Sequence, residues 1–205
     1  MVTKKIAILV SGTGTNTINL IEYFDKKQVA KVQLVISNKN NSPALLKAED
    51  LGVETVVFNN ESFKKNGVVL NYLKCKGVDF IVLAGFLIKL PKDIISAYCK
   101  RIVNLHPSIL PKFGGKGMYG MFVHQAVIDS QETESGISIH YVNEEYDKGD
   151  IIFQSKVKVN IGDTAEVLSK KIQKLEHRYL PEVVERVISG SVSYTHLRAH
   201  ETYVH

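Results

Sequence analysis

The sequence is poor in cysteine. Cys75 and Cys99 stand far apart, outside any CxxC or Cys/His ligand spacing. That speaks against a disulfide framework and a zinc site, and it suits a reducing, cytoplasmic compartment. No apolar run approaches the roughly 20 residues of a membrane-spanning helix. Met1-Val2-Thr3-Lys4-Lys5 leads into a short apolar run and a Ser-Gly loop, which reads as a strand rather than a signal peptide. There is no internal repeat, no low-complexity segment and no dense Lys/Arg patch interleaved with aromatics. The net charge of +5 is modest and suits anionic small molecules as well as nucleic acid. What is there is ordinary globular composition: 205 residues, 44% hydrophobic and 23% charged. That is enough for one domain with a sizeable core.

Five short apolar runs read as strands: 5–10, 32–37, 54–58, 80–84 and 101–104. They barely alternate, as parallel strands covered on both faces should. Helical patterns lie between them at 16–27, 43–51, 61–74 and 91–98. Such alternation predicts an α/β fold, a doubly wound, mostly parallel sheet. A helix at 122–130 follows, then two longer strands, 136–142 and 151–159, expected to be antiparallel. A long helix over 164–189 carries Leu168, Ile172, Leu175, Tyr179, Val183 and Val187 at steps of three and four. Gly162-Asp163-Thr164 supplies its N-cap, and Pro181 is expected to kink or restart it. The body is expected to span 1–190. Residues 191–205 read as a non-native or disordered tail, and the metal-pair spacing of His196 and His200 within it lacks a carboxylate partner.

Three stretches carry chemistry. In "VSGTGTN", Val10–Asn16, a glycine-rich turn opens a helix and presents free N–H groups to an anion. Walker A fails for want of a Lys-Ser/Thr pair. The dinucleotide fingerprint fails at Thr17 and lacks an acid after the second strand. A phosphate monoester fits better, and a side chain at Gly14 should block its approach; a plain βα turn is the bland alternative. In "RIVNLHPSILPKFGG", Asn104 and His106 lie beyond the fifth strand, bracketed by prolines. An open parallel sheet binds its ligands there. Singly, a buried structural histidine and a turn asparagine are the ordinary readings. Ser108 lacks a nucleophile elbow. In "NEEYDKGDI", Asp147-Lys148-Gly149 is good turn chemistry, and it could also deliver a carboxylate that orients His106 and raises its pKa.

Together "SGTGTN", "NLHPSILPKFGG" and "GISIHYVNEEYDKGDII" resemble the glycinamide ribonucleotide formyltransferases, a branch of the folate-dependent formyltransferases. "LAGFLIKL" and "QKLEHRYLP" agree with that branch, and the likeness runs from about Ile6 to Ile188. It implies a Rossmann-like formyltransferase fold with antiparallel C-terminal strands and a long C-terminal helix. It implies transfer of a formyl group from the co-substrate 10-formyltetrahydrofolate to the glycine amine of the ribonucleotide in purine biosynthesis, without a metal. Asn104, His106 and Asp147 would be catalytic, with Asn104 and a protonated His106 stabilising the formyl oxygen. Gly12, Thr13, Gly14, Thr15, Asn16 and Glu176 would bind the ribonucleotide. Leu87, Ile88, Lys89, Leu90, Asn143, Glu144, Glu145, Tyr146 and Asp147, with Asn104, would line the folate pocket. The Leu110–Pro111 bond is expected to be cis, and Asp147 within a few ångströms of the His106 ring.

The sequence departs from the resemblance at Ile88, where an arginine is usual, with Lys89 next to it. His124, in the loop "FGGKGMYGMFVHQAV", matches a motif histidine. Two alternatives remain: a formyltetrahydrofolate deformylase, which usually has an extra N-terminal domain, and a non-catalytic nucleotide-binding module. A tRNA formyltransferase would need a further C-terminal domain. The partners implied are small molecules, not nucleic acid or membrane, with the chain a monomer or homodimer.

Overall fold

The computed structural model describes residues 3–191. The tail expected over 191–205 lies outside the described residues from 192 onward, and so do His196 and His200. The elements are β1 (Lys4–Val10), α1 (Thr15–Lys27), β2 (Ala30–Ser37), α2 (Pro43–Asp50), β3 (Glu54–Val57), α3 (Asn60–Lys64), α4 (Val68–Cys75), β4 (Phe80–Leu83), α5 (Lys92–Ala97), β5 (Ile102–His106), α6 (Met121–Asp129), β6 (Glu134–Tyr141), β7 (Ile151–Lys158) and α7 (Ala165–Ile188). One seven-stranded sheet has the order β3-β2-β1-β4-β5-β6-β7. It is parallel through β5, and β6 and β7 add antiparallel to its edge.

Two cores cover the faces. Ile6, Ile8 and Val10 point to one, with Leu20 and Phe24 of α1 and Leu168, Ile172 and Val184 of α7. Ala7 and Leu9 point to the other, with Phe63, Leu73 and Ile94. Alternate residues of a strand serve opposite faces, so a stretch covered on both sides must be apolar throughout, as β1 is from Ile6 to Val10.

Three expectations need correction. The helix expected over 61–74 is two helices. The backbone of Lys65 turns extended, with ψ 114°, and the Gly67 N–H donates to Asp93 Oδ2 at 2.7 Å instead of continuing a helix. Pro181 does not restart α7, which runs unbroken through it. Proline lacks the N–H that would bond the carbonyl four residues earlier. Here that carbonyl, of His177, accepts a hydrogen bond from Asn19 Nδ2 of α1 at 2.7 Å. Finally, β5 continues past Asn104 to His106. Its parallel register with β4 ends at Leu83↔Asn104, but β6 pairs with Leu105 and His106 on the other side. The antiparallel partner extends the strand beyond its parallel neighbour, so the imidazole stands on a projecting strand end rather than in a loop.

Candidate active site

The sheet order reverses between β1 and β4, and in open α/β sheets that switch point is where ligands bind. Ser11 joins the strand ends there. Its N–H donates to Gly85 O at 3.0 Å, its hydroxyl donates to Asn38 Oδ1 at 2.6 Å, and that hydroxyl accepts from the Leu87 N–H at 3.0 Å. The loop after β1 and the loop after β4 are thereby held side by side.

Gly12–Asn16 leads into α1. No side chain caps this helix and its first turn holds no acid, so its leading N–H groups face outward with the positive end of the helix dipole. The loop is braced from α2: Ser42 Oγ donates to Gly12 O at 2.8 Å and Lys47 Nζ to Thr13 O at 3.1 Å. Gly14 has φ 76°, and a Cβ there would stand 2.4 Å from Ala44 Cβ and 2.7 Å from its Cα. A side chain at Gly14 would therefore strike α2 whether or not a ligand is bound. Asn16 Nδ2 donates to Glu176 Oε2 at 2.8 Å. Burial pushes the Glu176 carboxyl above its ordinary pKa, and the Asn16 hydrogen bond only partly offsets this.

At the projecting end of β5, Asn104, His106 and Asp147 come together. His106 is 3% exposed. Its Nε2 lies 2.7 Å from the Phe113 carbonyl, which can only accept, so Nε2 carries a hydrogen. Its Nδ1 lies 3.6 Å from Asp147 Oδ2. The other Asp147 oxygen accepts from Asn104 Nδ2 at 3.3 Å, and Oδ2 also accepts from the Gly115 N–H at 2.8 Å. Asp147 sits between β6 and β7, where a Cβ on Gly149 would come within 1.7 Å of Tyr141 O. The glycine of the DKG turn is thus required by close approach of the β6 backbone. The Leu110–Pro111 bond is cis.

The electrostatics differ in one respect from the sequence reading. Burial depresses the His106 pKa. The Asp147 charge and the Phe113 hydrogen bond pull it back up, His140 pushes it down, and the net shift is downward. Asp147 is raised by burial but lowered more by the His140 hydrogen bond, the His106 charge and the Gly115 N–H, so its carboxylate stays ionised. A carboxylate beside the ring was expected to raise the pKa; it does pull in that direction, but desolvation wins.

His140 is the site residue that sequence reasoning missed. It is 2% exposed and registers opposite Asn104. Its Nδ1 lies 2.8 Å from Tyr141 O, which can only accept, so Nδ1 carries a hydrogen; Nε2 faces Asn104 Nδ2 at 3.1 Å and Asp147 Oδ1 at 3.5 Å. A histidine in the apolar alternation of "GISIHY" was the available signal, but only the strand register shows what it faces.

The segments expected to hold folate face each other. Lys89 Nζ stands over the Tyr146 ring, 5.8 Å from its centroid, and Lys92 pairs with Glu144 at 2.7 Å. Asn143 Oδ1 accepts from the Glu145 N–H at 2.9 Å. Leu87 is exposed, Ile88 half-buried, and Leu90 is turned into the core. Lys64, at the end of α3, is engaged with Glu61. His124 is buried, with an Nδ1 that has no partner among the described residues. Among those residues no group of three His, Cys, Asp or Glu could hold a metal ion, and no helix is long and apolar enough to cross a membrane.

A doubly wound sheet with a carboxylate–imidazole–amide cluster at the carboxyl edge of its strands has the architecture of an α/β enzyme. The family model described as formyl transferase matches residues 4–184. The chain is 38% identical over 197 residues to the chloroplastic phosphoribosylglycinamide formyltransferase of Arabidopsis thaliana, covering 93% of this chain and 68% of that one. It is 34% identical to the phosphoribosylglycinamide formyltransferase of Haemophilus influenzae, over 91% of this chain and 88% of that one. The crystal structure of phosphoribosylglycinamide formyltransferase from Bacillus halodurans superposes with a TM-score of 0.83 at 32% identity, over 92% of this chain and 97% of that one. The chain belongs to the formyl transferase family.

Proposed function

We propose that this chain is a phosphoribosylglycinamide formyltransferase. It passes the formyl group of 10-formyltetrahydrofolate to the glycine amine of glycinamide ribonucleotide, a step of purine biosynthesis. The observation that carries this reading is the meeting of Asn104, His106 and Asp147 on the projecting end of β5, at the same carboxyl edge of the sheet as the uncapped loop that opens α1.

The amine lone pair attacks the formyl carbon, and charge gathers on the former carbonyl oxygen. The tetrahedral carbon then collapses by breaking its bond to the folate nitrogen. The amine loses a proton and the folate nitrogen gains one. With Nε2–H committed to Phe113 O, His106 Nδ1 is the nitrogen left for chemistry. The neutral ring, favoured by its depressed pKa, accepts the amine proton. The imidazolium so formed faces Asp147, which stabilises it until the proton passes on, directly or through water. Asn104 holds both amide hydrogens inward, toward Asp147 and His140. The longer bond, to Asp147, is the one to yield when the oxyanion offers a better acceptor. No covalent intermediate is required.

The phosphate lies on Gly12–Asn16, Glu176 meets the ribose or glycinamide end, and folate lies between 87–90 and 143–147. The test is formyl transfer with and without glycinamide ribonucleotide. Transfer that requires the ribonucleotide supports the reading. Formate release to water without it would identify a deformylase instead.

A further inference from the structure

So far Lys47 has appeared only as a brace on Thr13 O. It lies on α2, one turn beyond Ala44, the residue pressed against Gly14. Its ammonium donates to Thr13 O, inside the loop assigned to the phosphate. Among the described residues no carboxylate lies within 4.0 Å of that ammonium, although other lysines here, such as Lys92, Lys112 and Lys148, have such partners. Its one hydrogen bond, on an exposed side chain, leaves the ammonium without an opposite charge. Beside it opens a depression of about 440 Å³ lined by Thr15, Ile18, Lys47, Asp50, Leu51 and His177. The side chain therefore has room to turn.

From this we infer that Lys47 is the mobile cationic arm of the ribonucleotide's phosphate subsite, resting on Thr13 O and moving to a phosphate oxygen when the monoester seats on the loop. The inference rests on the function proposed above. Two independent braces fix where the arm starts: Ala44 under Gly14, and Ser42 on Gly12 O. The loop supplies directional N–H donors and no full charge. An ammonium adds a charge-assisted hydrogen bond, roughly twice the strength of a neutral one. Asp50, in the same depression, is the competing carboxylate, and it stands one turn further along α2. Lys47 touches no reacting atom in this scheme, so its effect falls on binding of the ribonucleotide and not on the chemical step.

The experiment compares wild type with Lys47→Met and Lys47→Arg. It uses steady-state kinetics in both substrates and, separately, binding of inorganic phosphate followed by the amide signals of Gly12–Asn16. Lys47→Met should raise the ribonucleotide KM by roughly tenfold, about one charge-assisted hydrogen bond. It should leave kcat and the folate KM within about twofold and weaken phosphate binding by a similar factor. Lys47→Arg should recover most of the loss. A folded Lys47→Met protein with unchanged ribonucleotide KM and phosphate binding overturns the inference. Lys47-dependent phosphate binding in a protein that transfers no formyl group would overturn the proposed reaction and leave the subsite standing.

Discussion

Asn104 and His140 face each other across the β5–β6 pair, Nδ2 to Nε2 at 3.1 Å, on adjacent antiparallel strands in register. The imidazole holds one amide hydrogen of Asn104 while Asp147 holds the other. His140→Phe keeps a ring in the slot and removes the acceptor. Asn104 then loses its second anchor. Turnover should fall on the order of 10- to 100-fold, the scale for misplacing a positioned group by about an ångström. Both KM values should change little, and steady-state kinetics reads this directly.

Asp147→Asn should lower the His106 pKa further, because the carboxylate is the largest influence holding it up against burial. Turnover should drop about 100-fold or more, the scale of lost acid–base assistance. An NMR titration of the His106 ring in both proteins measures the coupling. An unchanged pKa with near-normal turnover would reduce Asp147 to a turn residue.

Gly12 and Gly14 should separate binding from folding. A Cβ on Gly12 meets nothing within 4 Å, whereas one on Gly14 strikes the α2 backbone. Gly12→Ala should fold normally and weaken ribonucleotide binding alone. Gly14→Ala should lower the melting temperature and both activities together. Thermal melts beside the two KM values distinguish them.

Two pH effects of opposite sign should coexist. The pKa values of His106, His124 and His177 are held below the ordinary 6.5, each chiefly by burial. Between the depressed folded values and 6.5 the unfolded chain binds more protons. Stability is therefore full above about pH 6.5 and is lost as pH falls through that window. Glu176 is raised above 4.5 by burial, so its contribution is full below 4.5 and lost as pH rises through the folded value. Glu176→Gln should accordingly gain stability relative to wild type at pH 8, and the gain should vanish below pH 4.5. Melting curves across pH test both, and a gain for Glu176→Gln that persists in acid would contradict the second.

Asn19→Ala should leave the His177 carbonyl without its donor, because Pro181 cannot supply one. The expected cost is about 1–3 kcal/mol, a fall in Tm of several degrees at roughly 2–4 °C per kcal/mol for this size. Asn19→Asp, which removes the donor and keeps the volume, should do at least as much harm. No effect in either would mean that water replaces the amide.

The parallel half of the sheet was legible because stretches buried on both faces must be apolar, and Ile6–Val10 of β1, Leu34–Ile36 of β2 and all of β4 are. The position of Asp147 near His106 was legible through resemblance. What eluded the sequence depends on contacts distant in the chain. Asn19 serves a carbonyl 158 residues away. The extension of β5 depends on a partner strand, and His140 became a site residue only through register. The His106 pKa could not be signed from its neighbour's charge alone, because burial opposes that charge and is larger. Gly14 reads as a ligand glycine by motif; its quarrel with Ala44 appears only once α2 is docked.

Asn16, Asn19 and Tyr23 succeed one another along α1, and each meets α7: Asn16 with Glu176, Asn19 with the His177 carbonyl, Tyr23 with Glu185. Eight residues of helix, about 10 Å from first to last, are fastened to a helix some 160 positions later in the chain. During synthesis the glycine-rich loop emerges early and its scaffold late. A nascent chain therefore carries the loop long before anything fixes it, and the ribonucleotide should acquire its seat only when α7 docks. Contacts this distant are slow to form, so in refolding the recovery of ribonucleotide binding should lag behind the recovery of the β1–β2–β4 sheet.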